Sequence, residues 1–260
     1  MTASLDAVEQ VLDGWRGDRP FILGVCGAQG SGKSTLAEGL AARLKARGLR
    51  AATLSIDDLY LSRAERTRLG QVVHPLFATR GVPGTHDTEA GIHLLDQIRE
   101  GRDVVLPRFD KARDDPAPAG TPVEGPLDVL VFEGWCVGAR AQDDAALTAP
   151  INALEAERDP DLVWRRFVNL ALATDYAELF ARIDRLVLLA APGFEVVRGW
   201  RIQQEHDLRA RVGEGGRTMT DAEIGTFIQH YERLTRHILS DMPTYADLTL
   251  RLDARRGLTP

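Results

Sequence analysis

Short apolar runs alternate with longer segments of helical period along this 260-residue chain. The runs Phe21–Cys26, Ala51–Ile56, Asp103–Leu106, Asp128–Glu133, Leu186–Ala190 and Asp247–Leu252 have the length and composition of strands. Between them, apolar positions recur every three to four residues. That spacing predicts helices over Gly32–Arg47, Thr88–Glu100, Asp161–Ile183, Phe194–Val212 and Asp221–Ser240. The last carries Ile224, Phe227, Ile228, Tyr231, Leu234 and Ile238 on one face, and Thr220 with Glu223 ahead of it has the form of a capping box. A further amphipathic helix is expected in residues 1–19, where Leu5, Val8, Val11, Leu12 and Trp15 share a face. Strand and helix in alternation predict an α/β fold, a three-layer sandwich in which helices flank a mainly parallel sheet. With no internal repeat, residues 1–260 are expected to form one domain.

Two stretches interrupt the pattern. Residues 59–87 carry Pro75, Gly81, Pro83 and Gly84, and residues 109–126 carry Pro116, Pro118, Pro122 and Pro126. Both read as irregular loops. Both follow strands, at the edge where open α/β sheets bind ligands, and long loops there are usually functional.

The chemistry begins after the first strand. Gly27-Ala28-Gln29-Gly30-Ser31-Gly32-Lys33-Ser34 fits G-x-x-x-x-G-K-[ST], the phosphate-binding P-loop, and a strand before it with a helix after it completes the context. Glycines let backbone N–H groups close around phosphate oxygens, and the helix start adds partial positive charge. Thr35 is expected to join these residues around the nucleotide. In such a loop Lys33 reaches the β- and γ-phosphates and the Ser34 hydroxyl binds Mg²⁺. The expected ligands are therefore a nucleoside triphosphate and Mg²⁺. A second metal-side element is expected in Asp128–Glu133, a buried strand that ends in an acid, so Ser34 and Glu133 are the candidate metal ligands. After the second strand, Asp57 and Asp58 offer a carboxylate for the proton of an alcohol. Adjacent acids on an extended chain point different ways. The residues alone leave open which is the base.

Composition narrows the setting. A net charge of −6 argues against a nucleic-acid binder that relies on bulk charge. No apolar run approaches the length that spans a bilayer, and the N-terminus lacks the features of a signal peptide. Cys26 and Cys136 give neither a disulfide framework nor a metal cluster, so a reducing cytoplasm is the expected location.

These segments together carry a resemblance. The P-loop, Ser55-Ile56-Asp57-Asp58-Leu59-Tyr60-Leu61, Arg80-Gly81-Val82-Pro83-Gly84-Thr85-His86-Asp87, Leu106-Pro107-Arg108-Phe109-Asp110-Lys111 and Phe132-Glu133-Gly134-Trp135 are similar to the phosphoribulokinase, uridine kinase and pantothenate kinase group. Within it the chain resembles the D-glycerate 3-kinases, through Trp200-Arg201-Ile202-Gln203-Gln204-Glu205-His206 and Met219–Ile224 as well. The resemblance implies a P-loop NTPase fold and phosphoryl transfer from ATP to an alcohol of D-glycerate or a similar small polar acceptor. Other acceptors of the same fold are a nucleoside, pantothenate or a sugar phosphate. It implies Asp57 as base. Asp58, Tyr60, Arg80, His86, Asp87 and Lys111 would line the acceptor site, and residues 194–212 would form a lid whose Arg201 neutralises charge in the transfer. Arg198 and Arg211 read as a solvated face. The chain departs from the family at Leu59, where phenylalanine is common, and after Lys111, where Ala112-Arg113-Asp114-Asp115-Pro116 replaces a Gly-Asp-Arg element. It departs again after Tyr231, where Glu232-Arg233 follows instead of proline. A guanine-specific switch would need N-K-x-D, and neither Asn152 nor Asn169 begins one.

Overall fold

The fold grows from a strand that is buried along its whole length. In the computed structural model, which describes residues 2–17, 20–212 and 219–259, the chain runs α1 (Thr2–Trp15), β1 (Phe21–Gly27), α2 (Lys33–Ala46), β2 (Ala51–Ser55), α3 (Arg63–Val72), α4 (Thr88–Arg99), β3 (Val104–Leu106), β4 (Phe109–Asp110), β5 (Asp115–Pro116), β6 (Thr121–Val123), β7 (Val129–Gly134), α5 (Ala153–Arg158), α6 (Val163–Ala173), α7 (Asp175–Phe180), β8 (Arg185–Ala190), α8 (Phe194–Val212), α9 (Asp221–Phe227), α10 (Gln229–Asp241) and β9 (Leu248–Arg251). The central sheet has five parallel strands in the order β2-β7-β1-β8-β9. Every residue of β1 and β7 is buried, which is why both read as continuous apolar runs.

Register decides what meets at the functional edge. Val25 lies opposite Glu133, and Ser55 lies opposite the same residue from the other side. The ends of β1, β7 and β2 therefore deliver the P-loop, Glu133 and Asp57 to one edge. Helix α2 buries Leu36, Ala37, Leu40, Ala41 and Leu44 against the sheet. Helix α1 packs outside α2, with Leu5 close against Gly39 and with Arg43 and Arg47 paired to Asp6, Glu9 and Asp13. No helix among the described residues is long and apolar enough to cross a membrane.

Several expectations need correction. Residues 59–87 are not irregular throughout: they contain α3, opened by a reciprocal capping box between Ser62 and Glu65. Its buried residues are Arg66 and Gly70, so it has no apolar stripe to betray it. Residues 109–126 hold short antiparallel strands, and the run at 103–106 pairs with β6 rather than joining the central sheet. The helix expected over Asp161–Ile183 divides at Thr174 into α6 and α7, and the one over Asp221–Ser240 divides at Ile228 into α9 and α10. The capping box at Thr220 and Glu223 is present as expected. Met1 and residues 18–19 of the expected N-terminal helix, like the side chain of Arg211, lie outside what is described.

Candidate active site

The P-loop is shaped by its own backbone. Gly30 and Gly32 sit at φ of 75° and 92°, a left-handed region that side chains disfavour. The Ser31 amide donates to the Ala28 carbonyl at 3.1 Å, and the Leu36 amide donates to the Gly32 carbonyl at 2.9 Å as α2 begins. The Ser31 hydroxyl and the Gln29 side-chain oxygen are buried without a partner. Thr35 is exposed on the first turn of α2.

Beside the loop, the Ser34 hydroxyl donates to Glu133 Oε1 at 2.8 Å. Glu133 is buried, and its Oε2 has no hydrogen-bond partner. A buried, unsatisfied carboxylate oxygen is costly in water-free surroundings, and a divalent cation would relieve it. Among the described residues no group of three or more His, Cys, Asp or Glu side chains converges. One hydroxyl and one acid suit Mg²⁺, which takes its remaining ligands from phosphate and water. A cavity of about 290 Å³ opens here, lined by Ser34, Glu38, Thr53, Ser55, Asp58, Arg108 and Glu133 among others. Cys26 lies below, its thiol pushed up to about 12 by burial and hence neutral.

The two acids after β2 point apart as expected, but on a turn rather than along an extended chain. They lie on one 3₁₀ turn, Ile56–Leu59, capped by the Ser55 hydroxyl, which accepts from the Asp57 amide at 3.3 Å. Asp57 Oδ1 accepts from the Tyr60 hydroxyl at 2.8 Å, and Oδ2 accepts from Lys111 Nζ at 2.7 Å. Burial would raise the Asp57 carboxyl. The charge and hydrogen bond of Lys111, the field of Lys33 and the Tyr60 hydroxyl outweigh it and bring the group down to about 2. Asp58 turns the other way, accepting from Arg108 at 2.9 Å and from the Phe109 amide at 3.1 Å. It ties β4 to the turn and lines the metal-side cavity. Arg108 was not among the residues expected at the site.

The segment Arg80–Asp87 wraps the far side of Asp57. His86 is buried, stacked on Tyr60 with ring centroids 4.4 Å apart and hydrogen-bonded through Nδ1 to Tyr176. Burial drives it down to about 3, so it is neutral near pH 7. Its Nε2 is buried without a partner. Arg80 pairs with Asp114 and lies 5.6 Å from the Phe109 ring centre. Asp87 caps α4 through the Ala90 amide at 2.9 Å and is exposed, so its place is explained by the helix it starts.

The side chains that hold this segment escaped the sequence reading. The Trp135 indole donates to the Gly81 carbonyl at 2.8 Å, and the Tyr231 hydroxyl donates to the Arg80 carbonyl at 3.1 Å. Buried Arg66 donates to the carbonyls of Leu61, Ala78 and Asp114 and pairs with the Asp114 carboxylate at 2.9 Å. Asp114, in the run Ala112–Pro116, thus anchors both Arg66 and Arg80. On α8, Arg201 is held by buried Glu205 at 2.6 Å, which in turn accepts from the Met219 amide at 2.8 Å. A different cation, Arg256, touches the P-loop backbone, on the Gly30 carbonyl.

Comparison with known proteins decides the family. A protein of Schizosaccharomyces pombe described as uncharacterized kinase mug58 is 37% identical over 225 residues, covering 82% of this chain and 79% of its own. The chain belongs to the D-glycerate 3-kinase type of P-loop kinases. The chloroplastic D-glycerate 3-kinase of Arabidopsis thaliana is 31% identical across 82% of the chain, which spans 46% of that longer protein. The structure of D-glycerate 3-kinase from Cryptococcus neoformans superposes with a TM-score of 0.81 at 27% identity, covering 100% of this chain and 96% of the other. A family model described as methylmalonyl Co-A mutase-associated GTPase MeaB matches residues 8–62. That match runs from α1 through β1, the P-loop, α2 and β2 to the turn that carries Asp57 and Asp58, about a fifth of the chain. This kinase uses ATP and acts on an alcohol group of a small molecule.

Proposed function

We propose that this kinase phosphorylates a primary alcohol on a small anionic acceptor, with D-glycerate the first candidate. The observation that carries the reading is the Asp57–Lys111 pair, set in the field of Lys33. A carboxylate held near 2 is ionised but a poor proton acceptor. An acceptor that brings its own carboxylate gives Lys111, itself exposed, a second anion to bind. Drawing Lys111 away then raises the proton affinity of Asp57 at the moment the alcohol is in place. A neutral alcohol would leave the pair intact.

The remaining roles follow from position. Backbone amides of residues 27–34 cradle the β- and γ-phosphates, and Lys33 neutralises charge as the phosphoryl group moves. Ser34 and Glu133 would hold Mg²⁺, which supplies charge neutralisation at the phosphate oxygens when bound. Tyr60, kept protonated because burial pushes its hydroxyl well up, steadies Asp57. Neutral His86 presents Nε2 as a polar contact on the acceptor side. Two free, buried thiols suit a reducing compartment, which keeps the cytoplasm as the proposed location.

The test is ADP release from Mg²⁺-ATP with D-glycerate, glycerol, pantothenate, uridine and a sugar phosphate. Turnover on D-glycerate, and failure on glycerol at equal concentration, is the expected result. Equal turnover on glycerol would overturn the anionic-acceptor reading, and turnover on another anion alone would move the substrate while keeping it.

A further inference from the structure

The chain's final turn returns to the P-loop. After β9, Asp253 accepts from the amides of Arg255 at 2.8 Å and Gly257 at 2.7 Å, closing a tight loop. Within it Arg256 adopts a φ of 65°, a left-handed conformation that an arginine takes only when its surroundings enforce it. The Arg256 guanidinium donates through Nε to the Gly30 carbonyl and through NH1 to Gln203 Oε1 at 3.0 Å, and it lies 5.2 Å from the centre of the Trp200 ring. The Trp200 indole donates back to the Ala254 carbonyl at 2.8 Å. One arginine thus joins the phosphate loop, helix α8 and the C-terminal turn.

The contact is close on the P-loop side as well. A Cβ placed on Gly30 would meet Trp200 Cβ at 2.7 Å, so α8 rests directly on the tip of the loop. The Gly30 carbonyl and the Ser31 amide belong to one peptide plane. Arg256 holds the carbonyl from outside, while Ala28 accepts from the amide inside. That plane lies at the mouth of the phosphate cradle, and its tilt sets where the following amides point.

We propose that Arg256 is a positioning residue for ATP, clamping the Gly30–Ser31 peptide of the P-loop to helix α8 so that cradle and helix hold one orientation. The inference rests on the kinase reading but not on the identity of the acceptor. It requires that ATP binding, rather than acceptor binding, suffer when the clamp is removed.

The experiment measures, on full-length protein, Mg²⁺-ATP and Mg²⁺-ADP binding by calorimetry without acceptor, the KM for ATP and for acceptor, and the melting temperature of the free protein. Four variants are compared: Arg256→Ala, Arg256→Lys, Gln203→Ala and Arg255→Ala, the last an exposed charge on the same turn. Arg256→Ala is expected to weaken nucleotide binding about tenfold, the scale of one charge-assisted hydrogen bond, with the acceptor KM unchanged. Arg256→Lys should recover part of the loss, Gln203→Ala should show a smaller loss, and Arg255→Ala should match wild type. Equal losses in Arg255→Ala and Arg256→Ala would reduce the effect to bulk charge and overturn the clamp. So would unchanged nucleotide binding in Arg256→Ala, or a fall in melting temperature that lowers both affinities together. Should Arg256→Ala not fold, Gln203→Ala and Arg256→Lys decide, and wild-type nucleotide affinity in both would overturn the proposal.

Discussion

The nucleotide side and the acceptor side of this site are built by different means. The P-loop is a local object: eight consecutive residues, two left-handed glycines and a helix start make the cradle from main chain. The acceptor side is assembled from side chains brought from every part of the molecule. Trp135 from the end of β7, Tyr231 from α10 and Tyr176 from α7 each fasten one point of the segment that wraps Asp57, and Arg66 from α3 holds the Ala78 carbonyl just ahead of it. Backbone geometry is written in short motifs. A network of distant side chains is specified only by the whole fold.

The sharpest test of the contrast lies at the two charges that face each other across the reaction. Lys33→Ala removes the one cationic side chain that the loop itself presents to the phosphates, and turnover should fall about 10³-fold or more with every acceptor. Asp57→Asn should cut turnover about 10²- to 10³-fold while ATP affinity stays at the wild-type level. Weak ATP binding in Asp57→Asn would mean that the two sides are not separable. The same variant has a stability signature. Asp57 lies at about 2 in the fold against an ordinary 3.8, so its ionised form stabilises the fold above about pH 4, and that contribution disappears as pH falls toward 2. Urea midpoints of wild type and Asp57→Asn should therefore converge as the pH is lowered from 5 to 2.5.

Lys111→Ala addresses the acceptor side alone. It should raise the acceptor KM about 10- to 100-fold and leave the KM for ATP unchanged, since Lys111 is paired with Asp57 on the acceptor side. It also frees Asp57 from its strongest partner, so the fall in rate with acid should begin at a higher pH than in wild type. An ATP-dependent KM effect would place Lys111 on the nucleotide instead.

The same contrast explains what could be read in advance. The P-loop, the acid near the end of β7 and the parallel sheet follow from local pattern, because buried strands and glycine loops leave local marks. The partner of the strand at 104–106 does not, since a short apolar run carries no address for its neighbour. Asp57 and Asp58 could be told to diverge but not which way, because that depends on Arg108 and Lys111 some fifty residues on. Arg256 was invisible for the same reason: its partner Gly30 is 226 residues away.

Helix α3 is the opposite case, a local signal that was present and overlooked. Its polar composition hid the helix, yet Ser62-Arg63-Ala64-Glu65 is the sequence form of a capping box. In the structure the Ser62 hydroxyl accepts from the Glu65 amide at 3.2 Å, and Glu65 accepts from the Ser62 amide at 2.8 Å. Ser62→Ala should cost about 1 kcal/mol in urea denaturation, the usual scale for a lost N-cap. Because α3 adjoins the acceptor side, through Arg66 and through the Arg63 amide on Asp115, its kinetic effect should be confined there: a rise in acceptor KM of about twofold or less, with the KM for ATP untouched. A larger change in the KM for ATP would show that the acceptor-side network extends into the P-loop, and the division between a local and a distributed half of the site would have to be abandoned.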